Sequence, residues 1–181
     1  MSQNRAAYRY ALAMIDVAEE RKQLDEVTRD IQVLDKLTRE SHDFFLFLKS
    51  PVVNKEKKKR ILKELLQGNI SESTFKFVLL LASKGREELL PEITQQFYRL
   101  RDARLGIINV TARTAVRFSD TQEKQLVNQL ERATKKKIRL QSVIDPLLKG
   151  GFTIHYEDTV WDASVRHQLE LLRERFVGGT V

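Results

Sequence analysis

Ile144-Asp145-Pro146-Leu147-Leu148-Lys149-Gly150-Gly151-Phe152, followed by Val160-Trp161-Asp162-Ala163-Ser164-Val165-Arg166 and the stripe Leu169, Leu172, Phe176, decides the fold of the carboxy-terminal part. Here the apolar period changes from two to 3.6, and the glycines mark the change. Ile138, Leu140 and Ser142 alternate with Lys137, Arg139 and Gln141; beyond the glycines Phe152, Ile154 and Tyr156 alternate with Thr153 and His155. Both runs predict half-buried strands. Gly150-Gly151 fits a turn whose backbone angles other residues avoid, with close approach of a partner backbone as the alternative. Asp162 is expected to cap a last helix with a buried stripe of Val165, Leu169, Leu172 and Phe176, which Gly178 and Gly179 would stop.

Working outward, Gly106 marks a shift in composition. After it Ile108, Val110, Ala112 and Val116 alternate with Asn109, Thr111, Arg113 and Arg117, as in a strand. Ser119-x-x-Gln122 reads as a capping box ahead of a helix burying Leu126, Val127, Leu130 and Ala133. Before Gly106 the periodicity is helical from Asn4 to about Arg104, with interruptions at Ser41-His42, Ser50-Pro51, Gln67-Gly68-Asn69 and Lys84-Gly85. Six segments result: 4–20, 23–40, 42–49, 54–67, 72–84 and 87–104. Ser71 or Ser73 can cap the fifth, Pro51 ends the third, and Pro91 implies that the regular part of the sixth starts near Leu90. The expected fold is α+β in two domains: a six-helix bundle over 1–105 and a β-α-β-β-β-α unit over 106–181.

The 181 residues carry 31% charged and 41% hydrophobic side chains, enough apolar material for folded cores. No run approaches the length of a membrane span, and Met1-Ser2-Gln3-Asn4-Arg5 lacks a secretory hydrophobic region, so a soluble, non-exported chain is expected. With no cysteine, disulfides and thiolate metal ligands are impossible. The net charge of +7 is spread, with 20 basic against 16 acidic residues up to Leu105 and 12 against 9 beyond it. A dedicated nucleic-acid binder would concentrate the excess on one side.

Two helices carry more apolar surface than one contact needs. At about 100° per residue, the fifth segment has Phe75, Val78, Leu79 and Ala82 on one side and Phe77, Leu80 and Leu81 on the other. The first has Tyr10, Ala13, Met14 and Val17 on one face and Tyr8, Ala11, Leu12, Ile15 and Ala18 on another. Either both helices are central and wholly buried by their own domain, or the second face awaits a partner.

The run Lys55-Glu56-Lys57-Lys58-Lys59-Arg60 opens a helix with cations, against the preference of the helix dipole. It reads as a solvated face, with an acidic partner segment, nucleic acid or anionic lipid as alternatives. Phe44, Phe45 and Phe47 suit a helical core better than base stacking. Catalytic signatures are missing: His42, His155 and His167 lack zinc-type spacing, and Gly150-Gly151 is not a phosphate loop.

Several stretches together resemble one family, the delta subunit of bacterial F-type ATP synthase, whose mitochondrial relative is the oligomycin-sensitivity-conferring protein. They are Arg9-Tyr10-Ala11-Leu12-Ala13, Phe47-Leu48-Lys49-Ser50-Pro51-Val52-Val53, Arg86 through Ile93, and the glycine-hairpin-helix stretch. Lys149, where the family usually has an aliphatic residue, and Trp161-Asp162-Ala163-Ser164, in place of Ile-Asp-Gly-Ser, depart from the pattern. The resemblance implies a non-catalytic stator subunit, with no cofactor, that joins the catalytic head to the peripheral stalk against rotor torque. One copy per assembly is implied, on the cytoplasmic side of the bacterial inner membrane, peripheral and without direct insertion. Residues 1–105 would hold an amino-terminal helix of the alpha subunit in a groove lined by Tyr10, Ala13, Met14, Phe77, Leu80 and Leu81, with Phe75, Val78 and Ala82 pointing inward. Residues 106–181 would meet the carboxy terminus of the b subunit, with Gly150, Gly151, Val165 and Arg166 as contact candidates. The competing expectation is a nucleic-acid-binding adaptor using Lys55 to Arg60 and Lys135 to Lys137.

Overall fold

The structure, a computed structural model, describes residues 2–50, 52–156 and 159–178. It is mixed α+β, and its chain contacts divide it into two units, Met1–Arg101 and Asp102–Val181.

The first unit runs α1 (Ser2–Glu20), α2 (Leu24–Glu40), α3 (His42–Lys49), α4 (Lys55–Leu66), α5 (Glu72–Lys84), a 3-10 turn at Glu87–Leu89, and α6 (Leu90–Arg104). The starts of α3, α4 and α5 are fixed by side chains that accept otherwise unpaired amides. Ser41 Oγ takes the Phe44 N–H at 3.2 Å, Asn54 Oδ1 that of Lys57 at 2.8 Å, and Ser71 Oγ that of Thr74 at 3.4 Å. Ser71, of the two serines expected, is therefore the cap of α5. Gly85, at φ +64°, closes α5, and the next amide, Arg86 N–H, reaches Leu81 O at 2.9 Å. Pro51 lies outside the described residues, but Ser50 has the extended backbone, ψ 120°, expected ahead of a proline.

Ala7, Ala11, Ile15 and Ala18 of α1 meet Ile31 and Leu34 of α2, Leu62 and Leu66 of α4, and Ile93 and Phe97 of α6 in one core. Burying each large aliphatic or aromatic side chain stabilises by about 1.5–3 kcal/mol. Alanines on α1 let its neighbours come close without a cavity. Phe44 is buried and Phe47 packs against the same core.

The division between units falls slightly ahead of the expected boundary at 105. Asp102 opens the second unit, and its carboxylate takes hydrogen bonds from two other residues of that unit, Asn109 Nδ2 at 2.8 Å and Arg139 Nη1 at 2.9 Å.

The second unit contains β1 (Ile107–Thr114), α7 (Asp120–Thr134), β2 (Lys137–Ile144), β3 (Phe152–Tyr156), β4 (Thr159–Asp162) and α8 (Val165–Gly178). Sheet order is β2-β1-β3-β4, with β1 and β2 parallel across the α7 crossover and the other pairs antiparallel. The Ser119–Gln122 capping box is formed, and Leu126 and Leu130 of α7 pack on Ile108, Val110, Ala112 and Ile154.

Five expectations for this unit need correction. Val116 lies beyond the end of β1 and is exposed, and Ala133 is exposed although the α7 pattern put it inward. Thr153 is buried on the face assigned to solvent, because β3 is internal and the longer Arg113 and Asp162 flank it in register. Ser164, not Asp162, caps α8: Ser164 Oγ accepts the His167 N–H at 3.2 Å, while Asp162 Oδ1 accepts the Ser164 N–H at 2.8 Å. Lastly, the stripe Val165, Leu169, Leu172, Phe176 is uncovered, with Leu169 60% and Phe176 80% exposed. Helical periodicity shows that a face is apolar and is silent on what covers it. Gly179, half of the expected stop, lies outside the described residues.

Candidate functional site

An apolar groove of about 370 Å³ runs between α1 and α5. Tyr10, Ala13, Met14 and Val17 form one wall and Phe77 and Leu80 the other. The rings of Tyr10 and Phe77 meet edge to face, centroids 6.3 Å apart at 74°, across it. Position 13, an alanine, leaves room between larger neighbours, as close helix packing requires.

Five of the six residues expected to line the groove do so. Leu81 is the exception, fully buried in the core beside Val78 and Ala82. Leu81 lies three residues after Val78 and four after Phe77, so a helix places it between the two stripes, and here the core takes it. Val78 and Ala82 face inward as expected, and Phe75 packs against the core. Met14 is buried while still forming the groove floor. Val17 belongs to the site as well; its spacing of four from Ala13 was the signal.

The α5 wall is held from behind. Asp30 of α2, itself buried, accepts the Ser71 N–H at 3.1 Å and the Ser71 hydroxyl in a short hydrogen bond. On the rim Lys76 pairs with Glu72 at 2.6 Å, and this hydrogen bond, with the lysine charge, lowers the Glu72 carboxyl below its ordinary range.

The basic run of α4 is divided. Lys58 is buried and donates to Leu48 O at 2.9 Å and Glu87 Oε1 at 2.6 Å, while Lys59 pairs with Glu56 at 3.4 Å on the surface. One cation of the nucleic-acid alternative is thus spent inside the fold.

Among the stalk-contact candidates, the two glycines make the turn that receives α8. Gly150 O accepts the Val165 N–H at 3.1 Å. Gly151 has φ +77°, and a Cβ there would run into Ala163 O and come within 2.8 Å of Ser164 Cα. The close approach is by the chain's own backbone. Val165 lies against Gly150, and Arg166 pairs with Glu170 at 3.0 Å on the outer surface of α8. Lys149 borders a cavity with Phe118, Leu126 and Phe152.

Among the described residues no three His, Asp or Glu side chains gather as a metal-holding group, and no helix is long and apolar enough to cross a membrane. What the geometry provides is an apolar groove between two helices on one unit and an uncovered helix face on the other.

Known proteins share this plan. In a mitochondrial ATP synthase hexamer from Toxoplasma gondii, one chain superposes with TM-score 0.69 at 20% identity, covering 94% of this chain and 97% of that one, a likeness of fold. "ATP synthase subunit delta" of Chlorobaculum tepidum is 42% identical over 98% of both chains. That of Chloroherpeton thalassium is 39% identical over 96% of this chain and 94% of its own. The family model for the ATP synthase delta (OSCP) subunit matches residues 6–176. A fold, a full-length likeness and a match across nearly every residue agree, and the chain belongs to the ATP synthase delta (OSCP) subunit family.

Proposed function

We propose that the first unit, the six-helix bundle, seats an amino-terminal helix of the alpha subunit in the α1–α5 groove, and that the β-α-β-β-β-α unit meets the carboxy terminus of the b subunit through the β3–β4 hairpin and α8. As a family member the chain is a non-catalytic stator subunit linking the catalytic head to the peripheral stalk. The observation that carries the head contact is the groove itself: Tyr10, Ala13, Phe77 and Leu80 leave an apolar trough that a helix's apolar stripe fits. For the stalk contact, support comes from the uncovered Leu169, Leu172 and Phe176.

Mechanically, such a joint transmits torque without moving. Buried apolar contact sets its strength, and charges at the rim set how fast and in which orientation it forms. One copy serves each assembly, held at the cytoplasmic side of the bacterial inner membrane through its partners with no insertion of its own. Add-back to synthase stripped of this subunit tests the reading. Proton-driven ATP synthesis is expected to return with the full chain; ATP hydrolysis that stays uncoupled from proton transport after add-back overturns it.

A further inference from the structure

The apolar groove is flanked by cations at both ends. Its own lining includes Arg21 and Lys76 at one end and no carboxylate. At the other end, past Tyr10 and Ala13, it adjoins a second cavity of about 350 Å³ lined by Ala6, Arg9, Tyr10, Ala13 and Arg86, again without a carboxylate. Tyr10 and Ala13 line both, so the two cavities adjoin along α1 and a helix laid over them would span a single trough. Arg9 and Arg21 are separated along α1 by roughly 18 Å at 1.5 Å per residue, the length of about twelve helical residues.

We propose that the trough selects an amphipathic helix bearing carboxylates at both ends of its apolar stripe, about twelve residues apart, and that Arg9 and Arg86 together read one of them. Each arginine offers a planar fork of donors suited to a carboxylate, and because both line the same cavity a carboxylate bound there fixes where the helix begins or ends. At the opposite end Lys76 already holds Glu72, so that end discriminates less. A register error that put a basic or neutral residue there would leave the Arg9–Arg86 pair without a counter-charge in a cavity closed from water by the bound helix, which penalises wrong partners more than it strengthens the right one. This rests on the head-binding reading above and specifies the chemistry its ligand must have.

The test titrates a synthetic alpha-subunit amino-terminal peptide into the full-length chain at low and at high salt. Peptides with the terminal acidic side chains changed to glutamine are run in parallel, as is the chain with Arg9→Gln and Arg86→Gln, its fold checked by thermal melting. Removing the carboxylates is expected to weaken binding about tenfold at low salt, at up to about fivefold per rim ion pair. The double arginine variant should lose a similar factor toward the native peptide and nothing further toward the glutamine peptide. Native peptide that binds equally well with or without its carboxylates, or equally to both chains, overturns this inference and leaves the groove reading intact. Native peptide that does not bind the native chain overturns both.

Discussion

Lys58 Nζ lies 2.6 Å from Glu87 Oε1 with both side chains buried, so a lysine from the most basic run of the chain ties α4 to the turn that starts α6. The same ammonium donates to Leu48 O, at the end of α3. Three elements thus converge on one charge, with Glu87 Oε2 left without a protein partner.

Removing one member leaves the other charge buried and unpaired. Lys58→Met is expected to destabilise the chain by about 3–5 kcal/mol in urea unfolding, while Lys58→Met with Glu87→Leu recovers most of that loss. Equal destabilisation by the single and the double variant would contradict the pairing.

Gly151 and Gly106 both have positive φ, yet their surroundings differ. No heavy atom lies within 4 Å of a Cβ built on Gly106, whereas one on Gly151 meets the backbone of 163–165. Gly106→Ala should therefore cost only its backbone strain, about 1–2 kcal/mol. Gly151→Ala adds a displacement of α8's start, for about 3 kcal/mol in all. Similar losses in chemical denaturation would contradict the close approach. The same clash means that Gly151→Asp, expected to impair stalk attachment more than alpha-helix binding, would act by shifting α8.

Asp162 has a carboxyl held below the ordinary aspartate range, first by the Ser164 hydroxyl and then by the Ser164 N–H. A depressed folded value means that its stabilising contribution is present above the unfolded value and disappears as pH falls through the folded one. Titration followed by carboxyl NMR should show this, and Ser164→Ala should move the midpoint up. An unmoved midpoint would rule out the hydroxyl as the main cause.

On α8, Leu172→Glu places a charge on a residue already 47% exposed. Stability should change by about 0.5 kcal/mol or less. Binding to a b-subunit carboxy-terminal fragment should fall by about tenfold or more, the scale of a central interface residue. Retained binding in a sedimentation or calorimetric assay would remove α8 from the stalk contact.

How much of this was legible in the sequence depended on whether local chemistry decided the outcome. Ser71 and the Ser119–Gln122 box act within one helical turn and were legible as caps, whereas Ser41 and Asn54 cap in the same way and were not singled out. Tyr10, Ala13 and Phe77 were legible as surplus apolar residues on their helices, while their placing in a groove came from the family resemblance, since periodicity alone left a wholly buried helix equally open. Leu81 was not, since it sits between two stripes and tertiary packing chose the core. The α8 stripe was read correctly as apolar and wrongly as buried, because burial depends on a surface elsewhere. Lys58 was hidden among surface lysines, as its partner Glu87 is 29 residues away.

The most direct measurement is calorimetric titration of a synthetic alpha-subunit amino-terminal peptide into the native full-length chain and into Ala13→Asp, with thermal melts of both. Ala13 is exposed in the groove, so the free protein should lose little beyond the difference in helix propensity, about 0.7 kcal/mol or less. The complex would bury an aspartate in an apolar helix contact, and affinity should fall by at least about a hundredfold, some 3 kcal/mol. Unchanged affinity, or a variant that no longer unfolds cooperatively, would contradict the assignment of this face to the partner helix.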